Sequence, residues 1–353
     1  MKVLFILQYY NILLISIIAW IALGICLWKK DNKNDAKSCL LESIKQKPNK
    51  EALCELSILT RQIISKDQKL STSIDESINL AKQAIQLDLS YHKSWYVLGN
   101  ANCTRFFSVT QDIADLNKAF AAYKRAEILV NGDKNPDLYF TKGNVSRYLQ
   151  HYDVALKSYH RARELDESLA QVTDGPISEI IAFQNRLYET FSEKADASVI
   201  SKSKREIAAA PFTKGAVTID KLQAGLNKKA LFAGLVIRLI PNGSDNMPPS
   251  TYLCMDAAGT ACAVSLYNMG QDGNNLTNKI ITIMDPLVID TNLYKDNAKI
   301  IAIEQNQSVF KSSNTKTFKL LQVFYIQQLQ INGEAIKNEQ FAPTKLKLST
   351  FDI

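Results

Sequence analysis

The stretch PDLYFTKGNVSRYLQHYDVALKSYHRARELDE, residues 136–167, decides how the N-terminal half folds. With Pro136 as position 1, Gly143 falls at position 8, Ala155 at 20, Tyr159 at 24, Ala162 at 27 and Leu165 at 30. Small residues at 8 and 20 let two helices cross with their backbones close together. Large residues at 4, 7 and 24 fill the groove between neighbouring pairs. The same offsets return upstream. HKSWYVLGNANC (92–103) places Trp95 at 4, Leu98 at 7 and Gly99 at 8, and AFAAYKRAEIL (119–129) supplies Ala119, Tyr123 and Ala126 after an insertion around Phe106–Asp115. SINLAKQAIQLD (77–88) ends a third unit with Ser77, Ala81, Ala84 and Leu87 in phase.

A helix pair repeating every 34 residues, with these residues at these offsets, is the pattern of tetratricopeptide repeats. Generic amphipathic helices would not place Trp-x-x-Leu-Gly and Ala-x-x-x-Tyr-x-x-Ala in phase again and again. The array is expected over residues 37–194, with helices from Ile177 to Lys194 capping the stack. Such arrays wind into a superhelix whose concave face holds an extended peptide.

The N-terminus has a different texture. From Val3 to Trp28 no residue is charged, and LLISIIAWIALGICLWKK (13–30) leads into Lys29, Lys30, Lys33 and Lys37. At about 1.5 Å per residue the run is long enough to cross a hydrocarbon core of about 30 Å. The lysines that follow would leave the remaining chain in the cytosol. Two readings of residues 1–30 stand: a single-span membrane anchor, or a mispredicted start. SCLLESIKQ (38–46) reads as the second helix of a repeat whose first helix is absent, which sets the second reading level with the first. The whole chain is 46% hydrophobic and 22% charged with a net charge of +7, a bias that permits an acidic partner without requiring one. None of the six cysteines forms a C-x-x-C pair, so reduced thiols are expected.

Residues 195–222, including SKSKRE (201–206), read as a basic linker. Short β-type runs follow over 223–340: LFAGLVIRLI (231–240), TYLCMDA (251–257), TACAVSLYN (260–268), KIITIM (279–284), KIIAIE (299–304) and FKLLQVFYI (318–326), with a tail over 341–353. Five or more strands in so short a stretch predict a small closed barrel, of OB type first and a β-sandwich second. The fold class is therefore α+β multidomain: an all-α tetratricopeptide superhelix, then a small all-β OB barrel.

The chain carries no phosphate-binding loop, dinucleotide fingerprint, nucleophile elbow or zinc-protease helix motif. His92, His151 and His160 all lie in the helical array, and the spacing of the last two does not suit a same-face ligand pair. No enzyme activity, metal or cofactor is expected.

Helical repeats, a basic connector and a C-terminal OB barrel together resemble the tetratricopeptide repeat protein 5 (Strap) family. The resemblance is carried most strongly by DESINLAKQAIQLDLSYHKSWYVLGN (75–100), NPDLYFTKGNVSRY (135–148), CAVSLYNM (262–269) and LQVFYIQQLQINGEA (321–335). It implies a ribosome-associated factor that recognises the N-terminal peptide of nascent tubulin and triggers decay of tubulin messages. It also implies, as an alternative, a stress-responsive nuclear co-activator that binds a histone acetyltransferase. The cytoplasm and nucleus are the expected locations, with a single-pass membrane adaptor as a third reading. Tubulin begins with methionine, a basic residue and acidic residues, so its groove needs both a cation and an anion. The resemblance places the groove arginine at Arg61, the groove aspartate at Asp137, and a further, originally acidic, position at Gln171. Without it, Arg61 would read as a solvated helix cation, and Asp137 as helix-start chemistry with Asn135 as N-cap and Pro136 at N1. The family's ribosomal RNA contacts fall on Lys202, Lys204 and Arg205, whose plain alternative is a solvated linker. DNA or RNA binding by the barrel would use Tyr252 and Tyr267 as stacking residues, although strand aromatics more often pack.

Overall fold

The computed structural model describes residues 2–63, 70–242, 249–269, 276–294 and 315–336, with the side chains of the first helix described from Leu13 onward. The described residues divide into two compact units, the first running to Ser146 and including Arg161–Glu167, the second Arg147–His160 with those from Ser168 onward.

In the first unit the helices are α1 (Lys2–Lys29), α2 (Lys33–Gln46), α3 (Lys50–Gln62), α4 (Leu70–Leu87), α5 (His92–Arg105) and α6 (Ile113–Glu127); α7 (Pro136–Tyr148) and α8 (Tyr152–Leu165) run on from them. Their starts are set by short polar side chains that accept from otherwise unpaired N–H groups. Asn32 accepts from Asp35 N, Asn49 from Ala52 N, Asp112 from Ala114 N, and Asn135 from Leu138 N. The insertion after α5 is one π-helical turn, Phe106–Thr110, closed by left-handed Gln111 at φ 52°, and it buries Phe106 and Phe107.

The helix pairs cross where small residues stand. Ser57 Oγ on α3 donates to the Ser77 carbonyl (2.8 Å) and lies 2.9 Å from Ser77 Oγ on α4. On α5, a Cβ at Gly99 would sit 2.3 Å from the Tyr123 ring of α6, so only glycine fits.

The N-terminal helix corrects the expectation of an orphan repeat. Ile17 and Ile21 of α1 join one core with Ala36 and Leu40 of α2 and Ala52, Leu56 and Leu59 of α3. Ser43 Oγ donates to the Ile17 carbonyl at 3.3 Å, and Trp28 Nε1 donates to Gln62 Oε1 at 2.9 Å. A Cβ on Gly24 would lie 3.2 Å from Leu40 Cγ and 3.3 Å from the Ala36 carbonyl. Counting Gly24 as position 8 puts Trp20 at 4, Leu23 at 7, Ala36 at 20, Leu40 at 24 and Ser43 at 27. The apolar segment thus supplies the first helix that α2 needs. Its far side carries Leu14, Ile15, Ile18 and Leu23, each between 46% and 67% exposed. Among the described residues, no helix is long and apolar enough to cross a membrane.

In the second unit α9 (Ala170–Ser192) is one helix running through Pro176, longer than the Ile177–Lys194 expected. The segment 195–222, expected to be a linker, contains α10 (Ala197–Ala209), capped by Asp196. Its Ile207 packs with Ala210, Phe212, Ala233, Leu235 and Ile280 on the sheet's outer side.

The strands are β1 (Gly225–Leu226), β2 (Leu231–Ile240), β3 (Ser250–Asp256), β4 (Ala261–Leu266), β5 (Ile280–Met284), β6 (Leu287–Tyr294), β7 (Thr315–Val323), β8 (Leu329–Ile331) and β9 (Glu334–Ala335). β2, β3 and β4 form an antiparallel meander, and β4 pairs parallel with β7. β7 pairs antiparallel with β6, and β5 pairs antiparallel with β2. Because β5 and β6 are separated only by Asp285 and Pro286, they act as one bent strand that closes the barrel, the OB arrangement. Phe232, Val236, Cys254, Cys262, Val264, Ile281, Ile283, Leu321 and Val323 fill its core. At the β3–β4 turn, buried Asp256 accepts from Ile219 N, Ala258 N and Thr260 N at 2.8–2.9 Å. The run 299–304 and the tail 341–353 lie outside the described residues.

Candidate peptide groove and basic helix

Arg61 stands in the last turn of α3, four residues beyond Ser57 and therefore on the same helix face. It is 1% exposed, so the solvated-cation alternative does not hold. Its Nη1 donates to Ser77 Oγ at 2.8 Å and to the Ser57 carbonyl at 3.4 Å. The serines that permit the α3–α4 crossing therefore also orient the guanidinium.

Asp137 occupies the first turn of α7, directly after Pro136, with Asn135 capping. Desolvation raises its carboxyl above the usual aspartate range, and the charge of Asp166 adds to that. Both charges act on Tyr96 of α5. Burial raises its phenol, the Asp137 carboxylate raises it further, and the Arg61 guanidinium lowers it. One hydroxyl thus feels both expected groove residues, Arg61 from α3 and Asp137 from α7. Asn100 follows one turn after Tyr96, is buried, and accepts from Tyr123 Oη at 2.8 Å. Sequence reasoning missed Tyr96 and Asn100; the signal was available, since Gly99 at position 8 puts them at positions 5 and 9 of a first helix. Near Asp137 on α7, Lys142 donates to Glu127 Oε2 at 2.6 Å, and Arg161 lies 5.9 Å from the centre of the Tyr139 ring.

Gln171 lies in the second unit, exposed in the first turn of α9. Lys202, Lys204 and Arg205 are on α10. Lys202 Nζ donates to Asn278 Oδ1 at 2.7 Å, while Lys204 and Arg205 are exposed. Folding the segment as a helix fixes these cations along a surface anchored by buried Ser203 and Ile207.

The barrel aromatics proposed for stacking on nucleic acid are packed instead. Tyr252 belongs to the barrel core. Tyr267 is 2% exposed, stacks on Phe324 at 4.1 Å and donates its hydroxyl to the Tyr148 carbonyl at 2.9 Å. Neither presents a free face to a base, because each ring is buried in the unit.

Residues 214–345 match the family described as "Tetratricopeptide repeat protein 5 OB fold domain". Over 288 residues, 76% of this chain, it is 27% identical to "Tetratricopeptide repeat protein 5" of Homo sapiens and of Bos taurus, and 25% identical to that of Mus musculus. The match spans 65% of the length of those relatives. A solved structure titled "Crystal structure of MamA" matches 42% of this chain and 77% of its own at 21% identity, with a TM-score of 0.32, too loose a likeness to carry an argument. The barrel thus matches the OB domain of tetratricopeptide repeat protein 5, and the similarity to the curated proteins of that name extends well beyond it.

Proposed function

We propose that the chain is a nonenzymatic adaptor whose helical groove binds an extended N-terminal peptide of the nascent tubulin type, while α10 approaches ribosomal RNA. The observation that supports this most is that Arg61 and Asp137, of opposite charge and from different helices, both act electrostatically on the Tyr96 hydroxyl. A peptide reading Met-Arg-Glu offers a carboxylate to the first and a guanidinium to the second, and charge-assisted pairs discriminate by both sign and position. Exposed Lys204 and Arg205 suit phosphate attraction, which needs closely spaced, accessible cations.

The test is recruitment of the protein to tubulin-translating ribosomes, alongside fluorescence anisotropy with a labelled Met-Arg-Glu peptide. Asp137→Asn is expected to weaken peptide binding at least tenfold and leave the fold intact. The double variant Lys204→Ala, Arg205→Ala is expected to spare peptide binding and reduce ribosome recovery. Unchanged peptide affinity in Asp137→Asn, or no recruitment of the wild-type protein, refutes the reading.

A second reading, membrane tethering through α1, is favoured by exposed Leu14, Ile15, Ile18 and Leu23 beside Lys29 and Lys30. Carbonate-resistant membrane association would support it. Extraction into the supernatant would remove it.

A further inference from the structure

The second unit contains a cavity of about 150 Å³ where the α7–α8 turn and the start of α8 meet α9 and β6. Its polar walls include His151, Asp153, Gln184, Asp290 and Thr291, and its apolar walls include Ile289. Gln184 is the unusual member. On α9 the buried positions are Thr173, Ile177, Ile180, Phe183, Gln184, Leu187 and Thr190, so a long amide stands among the apolar residues at the centre of that face. Gln184 is 6% exposed, and its Nε2 is buried without a hydrogen-bond partner. Leaving such a donor unsatisfied destabilises the fold, a cost that a leucine would avoid.

The surrounding wall is already built. Gln150, left-handed at φ 60°, donates to Tyr152 Oη (3.3 Å) and Thr251 Oγ1 (3.4 Å). Its carbonyl oxygen accepts from Tyr267 Oη (3.3 Å) and Gln322 Nε2 (3.4 Å). Those bonds tie the turn to the barrel strands, so the cavity is preformed. It also reverses the sign of the chain: two aspartates line it in a protein of net charge +7.

We propose that this cavity is a binding site for a basic amino-acid residue of a partner peptide, separate from the Arg61–Asp137 groove. The ammonium or guanidinium meets Asp153 and Asp290, the aliphatic stem lies along Ile289, and the residue's main-chain carbonyl accepts from Gln184 Nε2. At about 150 Å³, several times what a single water needs, the cavity has room for one such side chain. The contact to Gln184 supplies a partner to a donor that the fold leaves without one.

The experiment is calorimetric titration of the full chain with Nα-acetyl-arginine methylamide and Nα-acetyl-lysine methylamide, with the leucine analogue as control. Saturable binding of at least one basic compound is expected, weakened by added salt, with none for the leucine analogue. Gln184→Met, close in volume and apolar, is expected to keep or raise the melting temperature while weakening binding at least fivefold. Asp290→Asn, at an exposed strand position, is expected to weaken it at least tenfold and serves as the deciding variant if Gln184→Met unfolds. The proposal is overturned if neither basic compound binds the folded wild-type protein, if the leucine analogue binds equally well, or if Asp290→Asn binds as wild type.

Discussion

Replacing Gly99 with alanine sets two opposing effects against each other, and the structure decides which wins. In an open helix the change favours folding by about 1 kcal/mol, because glycine has the more flexible unfolded backbone. Here the new Cβ would stand 2.3 Å from Tyr123 Cε1, 2.6 Å from Cδ1 and 3.0 Å from Cζ. The ring has little room to retreat: Tyr123 is wholly buried, Tyr96 lies tilted 6.3 Å away, and its hydroxyl is held by Asn100. Overpacking of this kind costs about 1–3 kcal/mol, and displacing the ring also breaks the Tyr123–Asn100 bond, worth about 1 kcal/mol. The net expectation is destabilisation by about 2 kcal/mol, a melting temperature lower by about 4–8 °C for a unit of this size. Urea denaturation followed by circular dichroism measures it, in the wild-type and Tyr123→Leu backgrounds. With the ring gone, Gly99→Ala should be neutral or stabilising, giving a coupling of about 2 kcal/mol in the double-mutant cycle. A neutral Gly99→Ala in the wild-type background, or an equal cost in both, would show that the helix crossing is not what demands glycine.

Three further outcomes follow from named contacts. Gly24→Val is expected to cost about 1–3 kcal/mol by overpacking against Leu40 and Ala36, and to speed amide exchange in α2, whereas Leu23→Ala on the exposed side should leave that exchange unchanged. Tyr267→Phe removes the donor to the Tyr148 carbonyl and Gln150 and should cost about 1–3 kcal/mol in thermal unfolding; a loss under about 0.5 kcal/mol would mean that these bonds do not hold the turn. The hydrogen bond from Lys50 at 2.5 Å, helped by Ser90, draws the Asp88 carboxyl down to about 2. Since that lies below the value of about 3.9 for an unfolded aspartate, the contribution is complete above that pH and fades as pH falls toward 2. Asp88→Asn should therefore flatten the acid limb of the stability curve in that window, and an unchanged limb would place the dependence elsewhere.

What could be read in advance tracks how sharply a position is constrained. Gly99 and Ser77 announced helix crossings because almost nothing else fits there, and the strand 231–240 announced itself by a near-continuous apolar run. β6 escaped notice because LVIDTNLY carries Asp290 and Asn292 among its apolar residues, and pairing with β7 outweighs their low strand propensity. α10 was hidden because its cations obscure the spacing of Ser203 and Ile207, the two residues that bury. Arg61 could not be placed from its own neighbourhood, since the oxygen that holds its guanidinium comes from Ser77, sixteen residues away.

The apolar N-terminal helix is the instructive failure, because its composition was legible and its use was not. Apolar residues all around a helix mask the narrower pattern of Trp20, Leu23 and Gly24, and a uniformly apolar run satisfies the membrane criterion on length alone. The two uses exclude each other physically. Ile17, Ile21 and Gly24 cannot face acyl chains while they pack on Ala36 and Leu40, and withdrawing α1 would expose those residues together with Leu56 and Leu59. A spanning α1 would thus trade a repeat's core for a lipid-facing helix. A helix that stays on α2 has only the strip of Leu14, Ile15, Ile18 and Leu23 left to offer a membrane surface. Packing on α2 therefore restricts any membrane contact to that strip, and a cysteine pair that locks α1 to α2 would distinguish surface attachment, which it permits, from spanning, which it forbids.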